Sequence, residues 1–380
     1  MKTKTKTKAK AKATIVRPSA PVSSARSAAG GPVTVGLDLG DRKHSVCVLD
    51  AAGSVLCRER ISNERMALRT LAAAWPGALF VMEVGAHSPW ISRYLQGLGC
   101  RVIVANARKV RAIYKSERKN DDRDAEQLAR IARVDESLLY PVEHGTEQEQ
   151  EDLLSIKLRD SLVRARVDLI NAVRFTLKSL GYAVSSPASE RFHKSVRREV
   201  PAEVLRVITP VLEVMEQMTE KIKAAEREIA RLIQTQYPAA QRLQQIDGVG
   251  PVTALCFVLK VGDAQRFGRV RDVGAYLGLT PKQDQSGATD RELGITKCGD
   301  SYLRRLLVNC AQYIMGPFGP PCALRACGER LAGTTAKDRK RAVIAVARKL
   351  AVLMLSLWKS GQNYEVRSPQ PQPRPEALAA

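Results

Sequence analysis

Two short apolar runs in this chain each end in a single acid, and few folds accommodate that arrangement twice. V-T-V-G-L-D-L-G (33–40) carries Asp38, and L-F-V-M-E-V (79–84) carries Glu83. Runs of this length and composition read as buried strands. A third acidic group, in K-N-D-D-R-D-A-E-Q-L-A (119–129), opens a helical pattern. There Asp121 and Asp124 are three residues apart and share one helix face, while Asp122 points elsewhere. A strand-tip Asp, a strand-tip Glu and a helical Asp pair can converge on two divalent ions. Two ions about 4 Å apart would activate a nucleophile and stabilise the leaving oxygen in phosphoryl transfer. Mg²⁺ takes carboxylate oxygen and water, so the residue types suit that ion.

The charge balance agrees with a polyanionic partner. The 380 residues carry a formal net charge of +22 and a pI near 9.9. Residues 1–30 hold eight Lys or Arg and no acid, so about +14 (22 less 8) remains on the body. A tail alone does not explain the charge, and polyanion binding is the natural reading, against a merely soluble basic protein. The eight cysteines form no C-x-x-C, and the four His are scattered, which argues against a zinc site. Most cysteines lie in apolar runs, as packed thiols of a reducing compartment do. No secretory signal is visible. The most apolar helical stretch, 341–358, is interrupted by Arg348 and Lys349 and reads as core, not membrane. The expectation is a cytoplasmic protein associated with nucleic acid.

Along the chain, residues 1–30 read as a disordered basic arm and 363–380 as a Pro-rich tail. Residues 31–145 read as α/β, with strands near 33–39, 45–50, 54–60, 79–84 and 101–105 and helices near 63–75, 89–98 and 121–134. That order is the one of a ribonuclease-H-like (RuvC-like) domain, in which the first and fourth strands present neighbouring acids and a late helix supplies the rest. Residues 146–238 are helical. Val211, Met215, Met218, Ile222, Ala225, Ile229 and Leu232 step alternately by four and three, a heptad seam, and Thr209-Pro210 suits an N-cap followed by Pro at N1. A coiled-coil hairpin or oligomerisation stalk is expected, with an intradomain helix pair as the alternative. Residues 239–362 form a second, mainly helical domain. In it L-Q-Q-I-D-G-V-G-P-V-T-A (243–254) resembles a helix-hairpin-helix, where Gly248 and Gly250 let backbone N–H groups approach a DNA phosphate.

Ser286 stands before Gly287 in a polar loop. With it the pattern resembles the DEDD transposases of bacterial insertion sequences, the family usually numbered 110, and the related Piv-type DNA invertases. The resemblance runs from about 33 to 362. It rests on D-L-G at Asp38, M-E-V-G at Glu83, K-x-D-x-x-D-A at Asp121 and Asp124, I-x-G-V-G at Gly248 and Gly250, G-L-T-P-x-x-x-x-S-G ending at Ser286, and K-x-G-D-x-x-L-R-R around Arg304. It implies that Asp38, Glu83, Asp121 and Asp124 bind Mg²⁺ and that Ser286 attacks a DNA phosphate to form a 5′-phosphoserine link. It further implies dimers to tetramers in which one subunit's acids meet another's serine, and a structured guide RNA pairing with donor and target DNA. The chain departs from the family at Asp247, at Thr296, at Asn120, and in V-G-A-H after Glu83, where A-T-G-x-Y is commoner.

Basic residues flank both constellations. Arg108, Lys109, Arg111, Lys115, Arg118 and Lys119 precede the Asp pair; Lys297, Arg304 and Arg305 follow Ser286. Phosphate contact is the expected role, against a merely solvated face. Three rival functions remain. A RuvC-like structure-specific nuclease or resolvase would use the acids with metal-activated water and no serine. A sugar-kinase or actin-like ATPase would need a second phosphate loop, for which D-G-V-G at 247–250 is the one candidate. A non-catalytic nucleic-acid-binding derivative would not need both the acids and Ser286.

Overall fold

The structure, a computed structural model, describes residues 31–113, 121–185, 188–286 and 289–365, with the backbone alone at 111–113, 283–286 and 289–292. The expected basic arm, residues 114–120 and the tail from 366 lie outside the described residues. The chain divides into two compact units, one ending at His144 and the other beginning at Gly145.

The first unit is a five-stranded mixed sheet in the order β3-β2-β1-β4-β5. Its strands are β1 (Thr34–Asp38), β2 (Lys43–Leu49), β3 (Val55–Ser62), β4 (Leu79–Glu83) and β5 (Arg101–Ala105). β1, β2 and β3 pair antiparallel; β1, β4 and β5 run parallel. This order and polarity are consistent with the ribonuclease-H-like domain expected from the sequence. The parallel strands are apolar on both faces because helices cover both. On one side Val35, Leu37, Phe80 and Met82 pack with α1 (Arg65–Ala74) and α2 (Ser88–Gly97). On the other, Val81 and Ile103 pack with Leu128 and Ala132 of α4 (Asp121–Val134). A short α3 (Ala107–Ile113), which the sequence pattern does not mark, follows β5.

Small residues set how closely α4 lies on the sheet. A Cβ on Gly36 of β1 would fall 1.9 Å from the carbonyl oxygen of Ala125 and 3.1 Å from the Ala129 methyl. Ala125 and Ala129 also pack with Cys47 and Leu49 of β2. Gly36 is thus required by the close approach of a helix backbone. Arg60 reaches Asp122, Arg58 reaches Glu126, and Arg133 donates to the Ala51 carbonyl in the β2–β3 turn. These contacts orient α4 so that its N-terminus lies at the end of the sheet where β1 finishes.

The second unit opens with two long helices, α5 (Glu147–Ser179) and α7 (Ala202–Gln236), with α6 (Phe192–Glu199) between them. A reciprocal capping box of Thr146 and Glu149 starts α5. The two long helices form an antiparallel hairpin within one chain: Arg166 donates to Thr219 (3.0 Å), Arg159 pairs with Glu226, and Tyr237 donates to Asp152 (2.5 Å). The buried residues of α7 are Ile208, Leu212, Met215, Thr219, Ile222, Ile229, Leu232 and Ile233, so Met215, Ile222, Ile229 and Leu232 keep the expected heptad while Leu212 and Thr219 fall one residue later than Val211 and Met218. The shift puts Thr219 and Glu226 opposite arginines of α5.

The expected helix start at Thr209-Pro210 is not found. Pro210 lies inside α7, and the Thr209 hydroxyl donates to the Leu205 carbonyl. A Pro inside a helix costs about 3 kcal/mol. Here it is offset by the core that Ile208 and Leu212 make with Ile170, Val173, Leu177 and Phe192.

The rest of the unit is α8 (Pro238–Leu243), α9 (Pro251–Val261), α10 (Asp272–Tyr276), the hairpin β6 (Pro281–Ser286) and β7 (Thr289–Ile295), then α11 (Ser301–Met315), α12 (Ala323–Leu331) and α13 (Ala336–Ser360). Ile156 and Ile229, at the base of the long hairpin, share one core with Phe257, Leu303, Leu307, Val346 and Met354. All eight cysteines are free thiols, five of them buried. Among the described residues no helix is long and apolar enough to cross a membrane.

Candidate active site

Asp38 is the last residue of β1 and Glu83 the last of β4, its parallel neighbour. Both are half-buried. Apolar side chains fix the strands up to that point, and each carboxylate emerges where the packing ends. Asp121 starts α4 and Asp124 lies in its first turn, where the helix dipole favours negative charge. Asp124 is one residue before the Ala125 that touches Gly36, two residues upstream of Asp38. The backbone therefore brings the four acids to one end of the sheet. Asp122, between them in sequence, pairs with Arg60 of β3 at 3.1 Å. Among the described residues no three His, Cys, Asp or Glu side chains stand close enough together to hold a metal ion. The donor set itself is all carboxylate, with no soft ligand, and suits a hard divalent cation.

A polar network lies in the turns that follow Asp38 and Glu83. The His87 Nε2–H donates to Asp41 (3.1 Å), and Asn63 lies 3.4 Å from the His87 Nδ1 and 3.1 Å from the fully buried His44. Desolvation holds His44 below the ordinary histidine range despite its bond to Asn63. Its members, at 41, 44, 63, 87 and 90, follow no helix or strand period.

Ser286 is not in a loop but ends β6, paired across the hairpin with Thr289. The base of this hairpin is stitched to the turn that follows it. Thr296 N–H donates to the Thr280 carbonyl (2.9 Å) and Lys297 N–H to the Gly278 carbonyl (3.1 Å). Two left-handed glycines permit this: a Cβ on Gly278 (φ +67) would lie 2.2 Å from the Cys298 oxygen, and one on Gly299 (φ +74) 2.1 Å from the Tyr276 oxygen. Arg304 donates to the carbonyls of Leu277 (3.0 Å) and Cys298 (2.8 Å), binding the same two segments. Asp300 caps α11 through Leu303 N–H and pairs with Lys260 at 2.7 Å. Burial alone would raise Asp300, but those two partners hold it below the ordinary carboxylate range.

The basic candidates divide. Arg108 and Lys109 lie on α3, with Lys109 over the Tyr140 ring at 5.2 Å; only the backbone of Arg111 is described, and Lys115, Arg118 and Lys119 fall outside the described residues. Lys297 takes a left-handed φ of 54° in the stitched turn. Arg305 pairs with Asp160 at 2.6 Å. Gly248 (φ +84) is closed over by Tyr313, 2.8 Å from its would-be Cβ, whereas nothing lies within 4 Å of such an atom on Gly250, the N-cap of α9. Of the two glycines, Gly248 shapes the turn and Gly250 leaves the helix end open.

Comparison with known proteins decides the lineage. Residues 35–181 match the transposase model for the DEDD group of insertion sequence 110, and residues 240–323 match the model described as transposase IS116/IS110/IS902 family. The chain is 32% identical over 286 residues to the transposase for insertion sequence element IS1328 of Yersinia enterocolitica, covering 74% of this chain and 83% of that one. This chain belongs to the IS110 family of transposases. It is also 28% identical over 342 residues to the transposase for IS1111A of Coxiella burnetii (87% and 90% of the two chains). A shorter match, 26% over 129 residues (34% and 39%), is to the pilin gene-inverting protein of Moraxella bovis. As an IS110-family transposase the chain is an enzyme that acts on DNA, and its DEDD group points to use of a divalent metal.

Proposed function

We propose that this transposase cuts and rejoins DNA through Ser286, with Asp38, Glu83, Asp121 and Asp124 holding Mg²⁺ in a two-ion site. The observation that carries the reading is the placement of Asp38 and Glu83 at adjacent strand ends with the first turn of α4 beside them. The ions would supply positive charge to the attacking and leaving oxygens. Ser286 Oγ forms a bond to a DNA phosphorus while the bond from that phosphorus to the 3′ oxygen breaks. The hydroxyl proton leaves the serine, and the departing 3′ oxygen gains one. Attack by a second strand's 3′ hydroxyl reverses these changes and frees Ser286. One ester replaces another at each step, so no ATP is needed, and the sequence holds no G-x-x-x-x-G-K-[ST] loop.

The same reading assigns sequence choice to a structured guide RNA that pairs with donor and target DNA. The net charge of +22 supports a protein that grips backbone and shape, through Arg108, Lys109 and the open Gly250 turn, a helix-hairpin-helix-like element. Self-association, as a dimer or tetramer, is supported by the long hairpin. Leu158 and Leu162 of α5 and Val207, Val211, Val214 and Met218 of α7 lie on one side of its seam. Leu158, Val207 and Val214 are exposed there, an apolar stripe suited to a second hairpin.

The test is to trap a covalent protein–DNA adduct in cells carrying the gene with its native flanks. The adduct is expected for wild type and lost in Ser286→Ala and Asp38→Ala. Cutting without an adduct, together with full activity in Ser286→Ala, would overturn the serine step and leave a RuvC-like nuclease using water.

A further inference from the structure

We infer that His87 is a positioning residue for the carboxylate pair, tying the loop after Glu83 to the turn after Asp38 across the gap where β1 and β4 stop pairing. The ladder between these strands ends at Leu37↔Met82. One residue further on, Asp38 is matched with Ser45 of β2 and Glu83 with Ala105 of β5, so each strand end is held by its outer neighbour. His87 bridges them. Its Nε2 lies 3.1 Å from Oδ1 of Asp41, three residues beyond Asp38.

The surrounding donors fix which nitrogen carries the proton. Trp90 Nε1, which can only donate, is 3.4 Å from His87 Nδ1, and Asn63 Nδ2 is also 3.4 Å from it. Nδ1 is therefore the acceptor, and Nε2–H points at Asp41. Asn63 gives its other amide hydrogen to the Asp41 carbonyl (3.1 Å) and its Oδ1 accepts from Nε2 of the buried His44. The bridge is thereby anchored in the core. The neighbouring Ser88 holds the same loop from the other side, donating to the Gly85 carbonyl (2.9 Å) and accepting from His144 (2.9 Å).

His87 acts on the two carboxylates through the turns that follow them, and supports outside the ligand set commonly fix ligand orientation, their loss costing about 10-fold or more in metal affinity or activity. The inference rests on the reading that Asp38 and Glu83 hold a divalent ion. Its test compares wild type, His87→Ala, His87→Gln, Asp41→Ala and Asp38→Asn in the full chain. Two quantities are read: the Mg²⁺ concentration for half-maximal DNA cutting, and Mn²⁺ binding measured by calorimetry without DNA. His87→Ala is expected to raise the Mg²⁺ requirement and weaken Mn²⁺ binding by about tenfold, with melting temperature unchanged within a few degrees. His87→Gln, whose amide can donate to Asp41, should recover most of the loss. Asp41→Ala removes the acceptor from an exposed position and should match His87→Ala. Wild-type values for both His87→Ala and Asp41→Ala, with Asp38→Asn inactive, would overturn the positioning role alone. An Asp38→Asn protein that cuts and binds Mn²⁺ like wild type would overturn the metal reading, and the inference with it.

Discussion

Asp38 and Glu83 end strands that are buried along nearly their whole length, while Ser286 ends one strand of a two-stranded hairpin. The first pair depends on side-chain packing: helices press both faces of the sheet, and the acids stand where the apolar run stops. A two-stranded hairpin has little core of its own and is marginally stable alone. Its position depends on backbone bonds at its base, where Gly278 and Gly299 let two segments meet. The two parts of the proposed reaction therefore fail in different ways. One is sensitive to volume between sheet and helix, the other to the conformation of two glycines.

The largest effects should come from substitutions that break one support and leave the other. Gly36→Val puts side-chain carbon where the Ala125 carbonyl lies, and overpacking against backbone costs about 3 kcal/mol. It should displace α4 and its acids, abolish cutting and lower the melting temperature. Gly299→Ala adds a left-handed strain of about 1–2 kcal/mol to its clash with Tyr276. It should abolish adduct formation while hydrogen exchange in β1 and β4 stays as in wild type. Loss of protection in the sheet upon Gly299→Ala would show that the two supports are not independent.

How much of this was legible beforehand follows the same division. The strand ends and α4 could be read because apolar runs and a three-residue spacing record packing directly in sequence. The hairpin could not: P-K-Q-D-Q-S (281–286) has no apolar alternation, and what holds it is two distant glycines and the carbonyl contacts of Arg304. Thr209-Pro210 misled because a local rule about Pro was outweighed by the seam running through it. The heptad register slipped partly by one because Thr219 and Glu226, polar residues, occupy seam positions opposite Arg166 and Arg159. The chemical role proposed for Ser286 rests only on the family pattern.

Acid should sharpen the contrast by a smaller amount. Burial holds His44 and His144 of the first unit below the ordinary histidine value, and likewise His193 of the second, where Glu216 opposes the shift. A histidine kept neutral in the fold binds a proton more readily when unfolded. The stability it contributes is full above about pH 6.5 and is lost as pH falls through the lowered folded value. Asp300 and the other lowered carboxylates act in the same direction, but below about pH 4.5. Hydrogen exchange at pH 7.5 and 5.5 should therefore show protection falling more in β2, which carries His44, than in α11. Equal change in both, or greater protection at pH 5.5, would contradict this account.

The smallest effect is expected at Asp122, and its smallness is informative. Asp122 lies between two proposed metal ligands, yet its carboxylate is taken by Arg60 on β3. Both partners of that pair are about half exposed, so its loss should cost no more than about 1 kcal/mol. If spacing on the helix decides which acids act, Asp122→Ala will cut DNA at close to the wild-type rate while Asp121→Ala and Asp124→Ala will not. The three variants differ only in which face of one helical turn loses its charge, so they hold net charge and helix-end electrostatics nearly constant. Equal loss in all three would mean that negative charge at the start of α4, and not the geometry of two particular carboxylates, is what the reaction requires.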